Sequence, residues 1–271
     1  HALYWVDIPN RELLRWSAAD DQVSRWQGQQ MLACIARQDD GWVAGMESGF
    51  FALQTRPDGQ LDSRPLATIE HQLAEMRMND GRCDRQGRFW AGSMALDMAA
   101  GHPVGALYRL DDDAMDAPLR PQLDGFIVPN GLAFSPDGRT MYLSDSHPSV
   151  QKIWAFDYDT DNGTPSRRRL FVDMLDHPGR PDGAAVDADG CYWICGNDAG
   201  LIHRFTPDGR LDRSLAVPVK KPTMCAFGGS RLDTLFVTSI RPGGDLSDQP
   251  LAGGVFALNP GVTGLEEPAF N

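Results

Sequence analysis

The sequence predicts an all-β fold, a six-bladed β-propeller built from four-stranded antiparallel blades. Two observations predict it: a pair of short apolar strands recurs six times along the 271 residues, and the recurrence has a period of about fifty residues. Repeats of this length usually stack as blades around a channel. Because long apolar stretches with a helical period are scarce, an eight-stranded α/β barrel is disfavoured.

Each unit contains two short apolar strands joined by a polar turn. The six pairs are residues 3–6 with 13–16, 42–44 with 49–53, 89–91 with 105–110, 141–143 with 153–156, 192–194 with 201–205, and 235–237 with 254–258. A turn glycine precedes the first strand of four pairs, at Gly41, Gly87, Gly138 and Gly190. Glycine at these places indicates tight hairpins that need a positive φ.

A further strand, the inner strand of the blade, precedes the pair in five of the units. These strands are residues 31–35, 82–84, 132–135, 184–187 and 223–227. The first unit lacks such a strand, so we expect its inner strand to lie upstream of His1. All six units fit one closed fold, and we therefore expect a single propeller domain over residues 1–271.

Three polar residues occupy the same place in three successive units. Asn79, Asn130 and Asp182 each stand eight residues before a turn glycine and open an inner strand. One reading is that their Asn-Gly and Asp-Gly neighbourhoods only form turns, which is the commonest role of such pairs. The shared phase favours the other reading, in which the three side chains converge at the channel.

The starts of inner strands and the ends of second strands open on one face of a propeller, because consecutive strands are antiparallel. The polar residues placed there are Arg77, Asn79, Asn130, Asp182 and Thr223 at strand starts, with Asp145, Ser146, Asn197 and Asp198 at strand ends. A carboxylate with several amide oxygens suits calcium, magnesium or manganese, and zinc with oxygen ligands is also possible.

Charge and cysteine content exclude several classes of protein. The net charge of −12 argues against a nucleic-acid partner, which needs a clustered basic face. No apolar run approaches a membrane span, so no membrane partner is expected. The five cysteines form no zinc pattern, and an odd count is a poor disulfide framework, which favours a reducing cytoplasm. We expect a cytoplasmic monomer or weak homodimer.

A set of short motifs is similar to those of a known family. They are residues 6–9 (VDIP), 77–81 (RMNDG), 88–94 (RFWAGSM), 130–132 (NGL), 145–146 (DS), 156–159 (FDYD), 181–183 (PDG) and 225–229 (CAFGG). Over nearly its whole length the chain resembles the SMP-30/gluconolactonase/regucalcin (LRE-like) family of six-bladed propeller lactonases.

The resemblance implies one divalent cation, calcium first among the candidates. The family holds it with a glutamate near the amino terminus, the asparagine of Asn-Gly-Leu and the aspartate of Pro-Asp-Gly. The last two match Asn130 and Asp182, and the glutamate would fall upstream of His1. The family's sugar-contacting arginine and asparagine match Arg77 and Asn79, and its acidic residue that reaches substrate hydroxyls matches Asp97.

These residues predict hydrolysis of a small sugar lactone, an aldonic-acid lactone such as gluconolactone, to the free acid. Asp182 would bind the cation and also take the proton of the attacking water as general base. Two other functions stay open. One is a phosphotriesterase-like or arylesterase-like propeller hydrolase, which the polar Arg77 and Asn79 disfavour. The other is a calcium-binding propeller without catalysis.

Overall fold

The computed structural model describes residues 2–110 and 118–271. In these residues the chain forms six antiparallel β-sheets and two single-turn 3-10 helices, Met98–Ala100 and Met174–Asp176. No helix in these ranges has the length and apolar character to cross a membrane. The predicted all-β class with six blades, a six-bladed β-propeller, is confirmed.

The sheets follow one another along the sequence, and each is a meander of neighbouring strands. The first contains β1 (Ala2–Asp7), β2 (Glu12–Ser17) and β3 (Gln22–Gln27); the second contains β4 (Leu32–Gln38), β5 (Gly41–Met46), β6 (Gly49–Thr55) and β7 (Leu61–Thr68). The third contains β8 (Met76–Cys83), β9 (Phe89–Ala95), β10 (Gly105–Leu110) and β11 (Leu123–Phe126).

The second half of the chain repeats this arrangement. The fourth sheet contains β12 (Pro129–Phe134), β13 (Thr140–Asp145), β14 (Lys152–Asp159) and β15 (Thr164–Asp173). The fifth contains β16 (Arg180–Val186), β17 (Tyr192–Asn197), β18 (Leu201–Phe205) and β19 (Leu211–Ala216), and the sixth contains β20 (Pro222–Gly228), β21 (Thr234–Ser239) and β22 (Val255–Leu258).

The chain divides into two compact units. The first comprises His1–Pro129 with Glu267–Asn271, and the second comprises Asn130–Glu266. Sheets one to three belong to the first unit and sheets four to six to the second, with β12 beginning at the boundary. A single domain over residues 1–271 stays a prediction.

Sheets two to five have the expected four strands, and sheet one has three, as expected from its missing inner strand. Sheet six differs from the expectation, since it has three strands among the described residues. After β22 the backbone turns away from the sixth sheet and bonds to turns instead: the Thr263 carbonyl accepts from Ala188 N–H at 2.9 Å, and Gly264 N–H donates to Leu232 O at 2.7 Å. Because these groups are already bonded, the segment does not add a fourth strand.

Aromatic and aliphatic side chains fill the space between neighbouring sheets. Phe50 of the second sheet and Phe89 of the third make an edge-to-face contact with ring centroids 5.7 Å apart. The rings of Tyr142 in the fourth sheet and Tyr192 in the fifth have centroids 5.0 Å apart and planes tilted by 41°. These side chains lie in apolar clusters that take residues from two adjacent sheets, which is how such sheets bury both faces.

Candidate active site

The first strand of four sheets carries one extra residue, a β-bulge, near its amino-terminal end. In the third sheet, Asn79 and Asp80 together stand opposite one residue, between the pairs Met78–Ser93 and Gly81–Ala91. Bulges at the corresponding place contain Ala33 in β4, Asp182 with Gly183 in β16, and Thr223 in β20. A bulge breaks the alternation of side chains and re-aims them, so it sets where these residues point.

The position of Asn79 within its strand differs from the sequence expectation. Asn79 was expected to open the inner strand, yet β8 begins three residues earlier at Met76. The strand extends upstream because Met76 pairs with Ala95 and Arg77 pairs with Met94 at the far end of β9. The eight-residue count therefore located the bulge and not the strand end.

Asp182 lies between two carboxamides. Asn130 Nδ2 donates to Asp182 Oδ1 at 2.7 Å, and Asn197 Nδ2 donates to Asp182 Oδ2 at the same distance of 2.7 Å. Asn130 and Asn197 are buried, and Asp182 is half-buried. The three side chains come from β12, β16 and β17, so one carboxylate and two carboxamides meet where three strands begin or end.

Hydrogen bonds to the backbone around Asn130 fix its side chain. Gly131 N–H donates to Asn130 Oδ1 at 3.1 Å, and Ser144 Oγ donates to the Asn130 carbonyl at 2.9 Å. The hydroxyl of Tyr192 donates to the Gly131 carbonyl at 2.6 Å. Gly131 has a φ of +61°, and a Cβ there would lie 2.5 Å from the Tyr192 hydroxyl oxygen. The Asn-Gly pair is therefore a structural requirement of this site as well as a turn signal.

The first unit contains a second polar pair. Arg77 Nη1 donates to Asn79 Oδ1 at 2.9 Å and to the Met78 carbonyl at 2.7 Å, and Asn79 Nδ2 donates to the Pro129 carbonyl at 3.0 Å. Both side chains are half-buried. These bonds hold the guanidinium and the carboxamide in one arrangement, as a preformed binding surface needs.

Asp97, the remaining predicted site residue, caps a helix. Its carboxylate accepts from Ala99 N–H at 3.1 Å and Ala100 N–H at 3.3 Å at the start of the 3-10 helix Met98–Ala100. The residue is exposed. A substrate role for Asp97 stays a prediction.

Asn197 was expected at the open face but had no predicted role. In the structure its carboxamide donates to Asp182. Two other residues from the same prediction, Asp145 and Thr223, bond locally: Asp145 Oδ1 accepts from His147 N–H at 3.0 Å, and Thr223 Oγ1 lies 2.8 Å from Thr238 Oγ1. No spacing rule selects Asn197, because its contact depends on the end of β17.

The cysteines are not candidates for nucleophiles. All five are buried with free thiols. Burial raises the pKa of Cys34, Cys83 and Cys191, and nearby aspartates raise it further, so these thiols stay protonated at neutral pH.

The donor set around Asp182 fits a hard divalent cation. Among the described residues, no group of three or more histidine, cysteine, aspartate or glutamate side chains forms a metal cluster. Asp182 instead offers one carboxylate beside Asn130 and Asn197. Half a turn of each carboxamide exchanges its NH₂ for its oxygen, and Asn130 then gives up the bond from Gly131 N–H. Carboxylate and carboxamide oxygens are the ligands that calcium takes, with water completing its shell.

The chain matches known proteins along most of its length. Residues 1–241 match the family described as the SMP-30/Gluconolactonase/LRE-like region. A 6-deoxy-6-sulfogluconolactonase from Pseudomonas putida is 39% identical over 99% of this chain and 90% of its own length. Regucalcin from Homo sapiens is 34% identical over 98% of this chain and 89% of its own length.

A solved structure gives the same result. The structure of a calcium-binding protein, regucalcin, from Agrobacterium tumefaciens superimposes with a TM-score of 0.88 at 27% identity, over 100% of this chain and 90% of that one. Both relatives and this structure therefore align over nearly the whole of this chain. The chain belongs to the SMP-30/gluconolactonase/LRE-like family.

Proposed function

We propose that this protein hydrolyses a sugar lactone to the free aldonic acid, with a divalent cation held at Asn130 and Asp182. The observation that carries the proposal is the position of the Asp182 carboxylate, with Asn130 Nδ2 and Asn197 Nδ2 each 2.7 Å from one of its oxygens. The names of the relatives support a lactone as substrate, since the Pseudomonas putida relative is named for a sulfogluconolactone. The family match supports it independently.

Asn130 and Asp182 would hold the cation, with calcium first and zinc, magnesium or manganese as alternatives. Asn197 adds a third oxygen to this set. When bound, such an ion polarises a carbonyl and stabilises negative charge on its oxygen. The similarity to a regucalcin described as a calcium-binding protein supports calcium.

Asp182 is also the proposed general base. Its carboxylate would accept a proton from water as the water oxygen adds to the lactone carbonyl carbon. The ring C–O bond then breaks, and the ring oxygen takes the proton and becomes a hydroxyl, which leaves the aldonic acid. Without the cation, Asn130 and Asn197 each donate an N–H to one oxygen of this carboxylate, which fixes its orientation.

Arg77, Asn79 and Asp97 are the proposed substrate-binding residues. Arg77 offers several N–H donors in a rigid plane, and Asn79 offers both a donor and an acceptor, so together they suit vicinal hydroxyls. Asp97 is an acceptor for a hydroxyl if its cap opens. These polar groups favour a hydroxylated lactone over an aryl ester.

The experiment compares three assays on one preparation. We expect calcium-dependent hydrolysis of glucono-1,5-lactone, little hydrolysis of phenyl acetate, and calcium binding by calorimetry. Asp182→Ala should abolish lactone turnover and calcium binding and leave the far-UV circular dichroism spectrum unchanged. Asp208→Ala is the matched control, because Asp208 is an exposed carboxylate of the same unit.

Three results would separate the alternatives. Full lactonase activity in Asp182→Ala contradicts the assignment of this residue. Turnover of phenyl acetate in place of the lactone indicates the arylesterase-like function. Calcium binding without turnover of either compound indicates a calcium-binding propeller, a function supported by the similarity to a regucalcin described as a calcium-binding protein.

A further inference from the structure

Two cationic side chains converge on Asp198, the residue that follows β17. Arg180 Nε donates to Asp198 Oδ2 at 2.7 Å, and the Lys221 ammonium pairs with Asp198 Oδ1. Arg180 begins β16 and Lys221 directly precedes β20, so the three residues come from three neighbouring strand ends. Each carboxylate oxygen thus has its own cation.

Asp198 is held in place as an ionised group. Burial works against its charge, but hydrogen bonds from Arg180 and Lys221 outweigh burial and keep the pKa of Asp198 below its usual value. Its backbone has a φ of +78°, a conformation that non-glycine residues adopt when the surroundings enforce it. With two cations and one carboxylate, the cluster has a charge of +1 in a protein whose net charge is −12.

The guanidinium of Arg180 has donor capacity left over on the side of the proposed active site. Beyond the short bond from Nε, its terminal nitrogens make two contacts of 3.5 Å, from Nη1 to the Ser146 carbonyl and from Nη2 to Asn197 Oδ1. Both contacts are at the long limit of a hydrogen bond. Asn197 is the residue whose Nδ2 donates to Asp182. One carboxamide therefore separates the cationic cluster from the proposed general base.

Both cations are within reach of a ligand. The side chain of Arg180 is 25% exposed and that of Lys221 is 29% exposed. An arginine whose terminal nitrogens make only long contacts, beside a lysine, is suited to bind oxyanions of sulfur or phosphorus. Asp198 keeps the two cations together while the site is empty, since without it their like charges would repel.

We propose that Arg180 and Lys221 bind an anionic group, a sulfonate or a phosphate, carried by the substrate at the end remote from the lactone carbonyl. This inference rests on the proposed lactonase function and adds to it the substrate class. The protein would then prefer charged aldonolactones to glucono-1,5-lactone. Arg180 supplies two directed N–H donors, and Lys221 supplies a point charge.

The test measures kcat/KM for glucono-1,5-lactone, for its 6-phospho derivative and for its 6-deoxy-6-sulfo derivative, in wild type, Arg180→Gln and Lys221→Gln. Lys220→Gln is the matched control, because Lys220 is the adjacent lysine and pairs with Asp248 instead. We expect the preference for one or both anionic lactones to fall at least about tenfold in Arg180→Gln and Lys221→Gln, mainly through KM. Lys220→Gln should keep the preference.

A second readout needs no turnover. Calorimetry with 6-deoxy-6-sulfogluconate and with 6-phosphogluconate measures binding of the stable acids, and the affinity should weaken as salt concentration rises. A response to only one of the two acids identifies the oxyanion. If lactones are not hydrolysed but the acids bind and the two substitutions weaken them, the proposed function fails and the anion site stands. Equal kcat/KM for neutral and anionic lactones, or acid binding that Arg180→Gln and Lys221→Gln leave unchanged, overturns the anion site.

Discussion

His203 Nε2 lies 2.8 Å from the carbonyl oxygen of Pro178, four residues before Asp182. A carbonyl only accepts, so Nε2 carries the hydrogen, and Nδ1 accepts from the Ser214 hydroxyl at 2.7 Å. The imidazole is 1% exposed. A neutral, buried histidine on β18 thus anchors the loop that leads to Arg180 and Asp182.

Because His203 is buried and neutral, the stability of the fold should depend on pH. Burial lowers the pKa of His203 below the ordinary value of 6.5, the bond to Pro178 opposes the change, and the neighbouring His177 adds to it. The unfolded chain therefore binds a proton near pH 6.5 that the folded chain does not bind until lower pH. As the pH falls through that interval, the free energy of unfolding decreases.

We expect the melting temperature of wild type to drop more steeply between pH 7 and pH 5 than that of His203→Gln, which keeps a donor for Pro178 but does not titrate. His102→Gln, a substitution of an exposed histidine in the first unit, is the control and should retain the wild-type slope. Thermal unfolding followed by circular dichroism measures all three. Equal slopes in wild type and His203→Gln would show that this histidine does not control the transition.

The substitution Asn197→Asp tests the proposed cation site by adding a negative charge to it. The substitution puts a second carboxylate against Asp182, where Asn197 Nδ2 now donates at 2.7 Å. Without a divalent ion, like charges at this distance should destabilise the fold by about 1–3 kcal/mol. Calcium should reverse the loss, because the additional carboxylate is an additional ligand.

The measurement is the melting temperature in chelator and in millimolar calcium. The gain on adding calcium should be larger in Asn197→Asp than in wild type. Asn162→Asp is the control, since Asn162 Nδ2 also donates to a carboxylate, Asp159 Oδ2 at 2.8 Å, but in an exposed hairpin. A calcium effect of the same size in wild type and Asn197→Asp would contradict a cation at this position.

Local patterns carried most of the fold prediction. Alternating apolar residues and turn glycines depend on contacts within one hairpin, and Gly87, Gly138 and Gly190 have the positive φ that their turns predicted. Gly41 does not belong to this set: it is the first residue of β5. The eight-residue spacing also placed Asn79 and Asp182 in corresponding bulges, because the same hairpin recurs in each blade.

Contacts between segments that are distant in the sequence could not be predicted from sequence patterns. His203 meets Pro178 across 25 residues, and Lys221 meets Asp198 across 23. No periodicity connects such positions, since the path of each loop depends on packing in the folded chain. The end of the strand that carries Asn197 could be predicted from the apolar pattern. Its partner Asp182 could not, so Asn197 was left without a role.

Replacing Gly131 with alanine should lower the stability of the segment around Asn130. Gly131→Ala would force a Cβ to within 2.5 Å of the Tyr192 hydroxyl oxygen and 2.9 Å of Ser144 Oγ, at a φ of +61°. Strain at this φ and the clash each cost about 1–3 kcal/mol. We expect a large loss of stability in urea unfolding and weaker calcium binding, because both neighbours fix the Asn130 segment.

Tyr192→Phe isolates the hydrogen bond from the clash. It removes the donor to the Gly131 carbonyl and should cost about 1–3 kcal/mol, since that oxygen is left buried. Tyr4→Phe serves as the comparison, because Tyr4 is half-buried and packs on Trp42; its cost should stay under about 0.5 kcal/mol. Equal urea midpoints for the two variants would show that the Gly131 bond adds nothing to stability.

Arg204 joins three aspartates in different surroundings. Arg204 Nε donates to Asp187 Oδ2 at 2.8 Å, and Nη2 donates to Asp189 Oδ2 at 2.9 Å. The Asp187 side chain is fully buried and also accepts from the Trp193 indole at 2.8 Å, whereas the Asp189 side chain is 67% exposed. Nη1 also donates to Asp212 Oδ2 at 3.0 Å, and the Asp212 side chain is partly exposed. The same guanidinium thus makes one ion pair with a buried carboxylate and two with carboxylates that reach water.

Removing the carboxylate of Asp187 or of Asp189 should therefore have unequal effects. Asp187→Ala leaves Arg204 Nε, the Trp193 indole N–H and the backbone N–H groups of Asp189 and Cys191 without their buried acceptor, and should cost about 3–5 kcal/mol. Asp189→Ala removes an exposed pair and should cost less than about 1 kcal/mol. Urea unfolding of both variants gives the comparison, with the m-value as the check on two-state behaviour. Similar losses in the two variants would mean that burial does not set the strength of the Arg204 pairs.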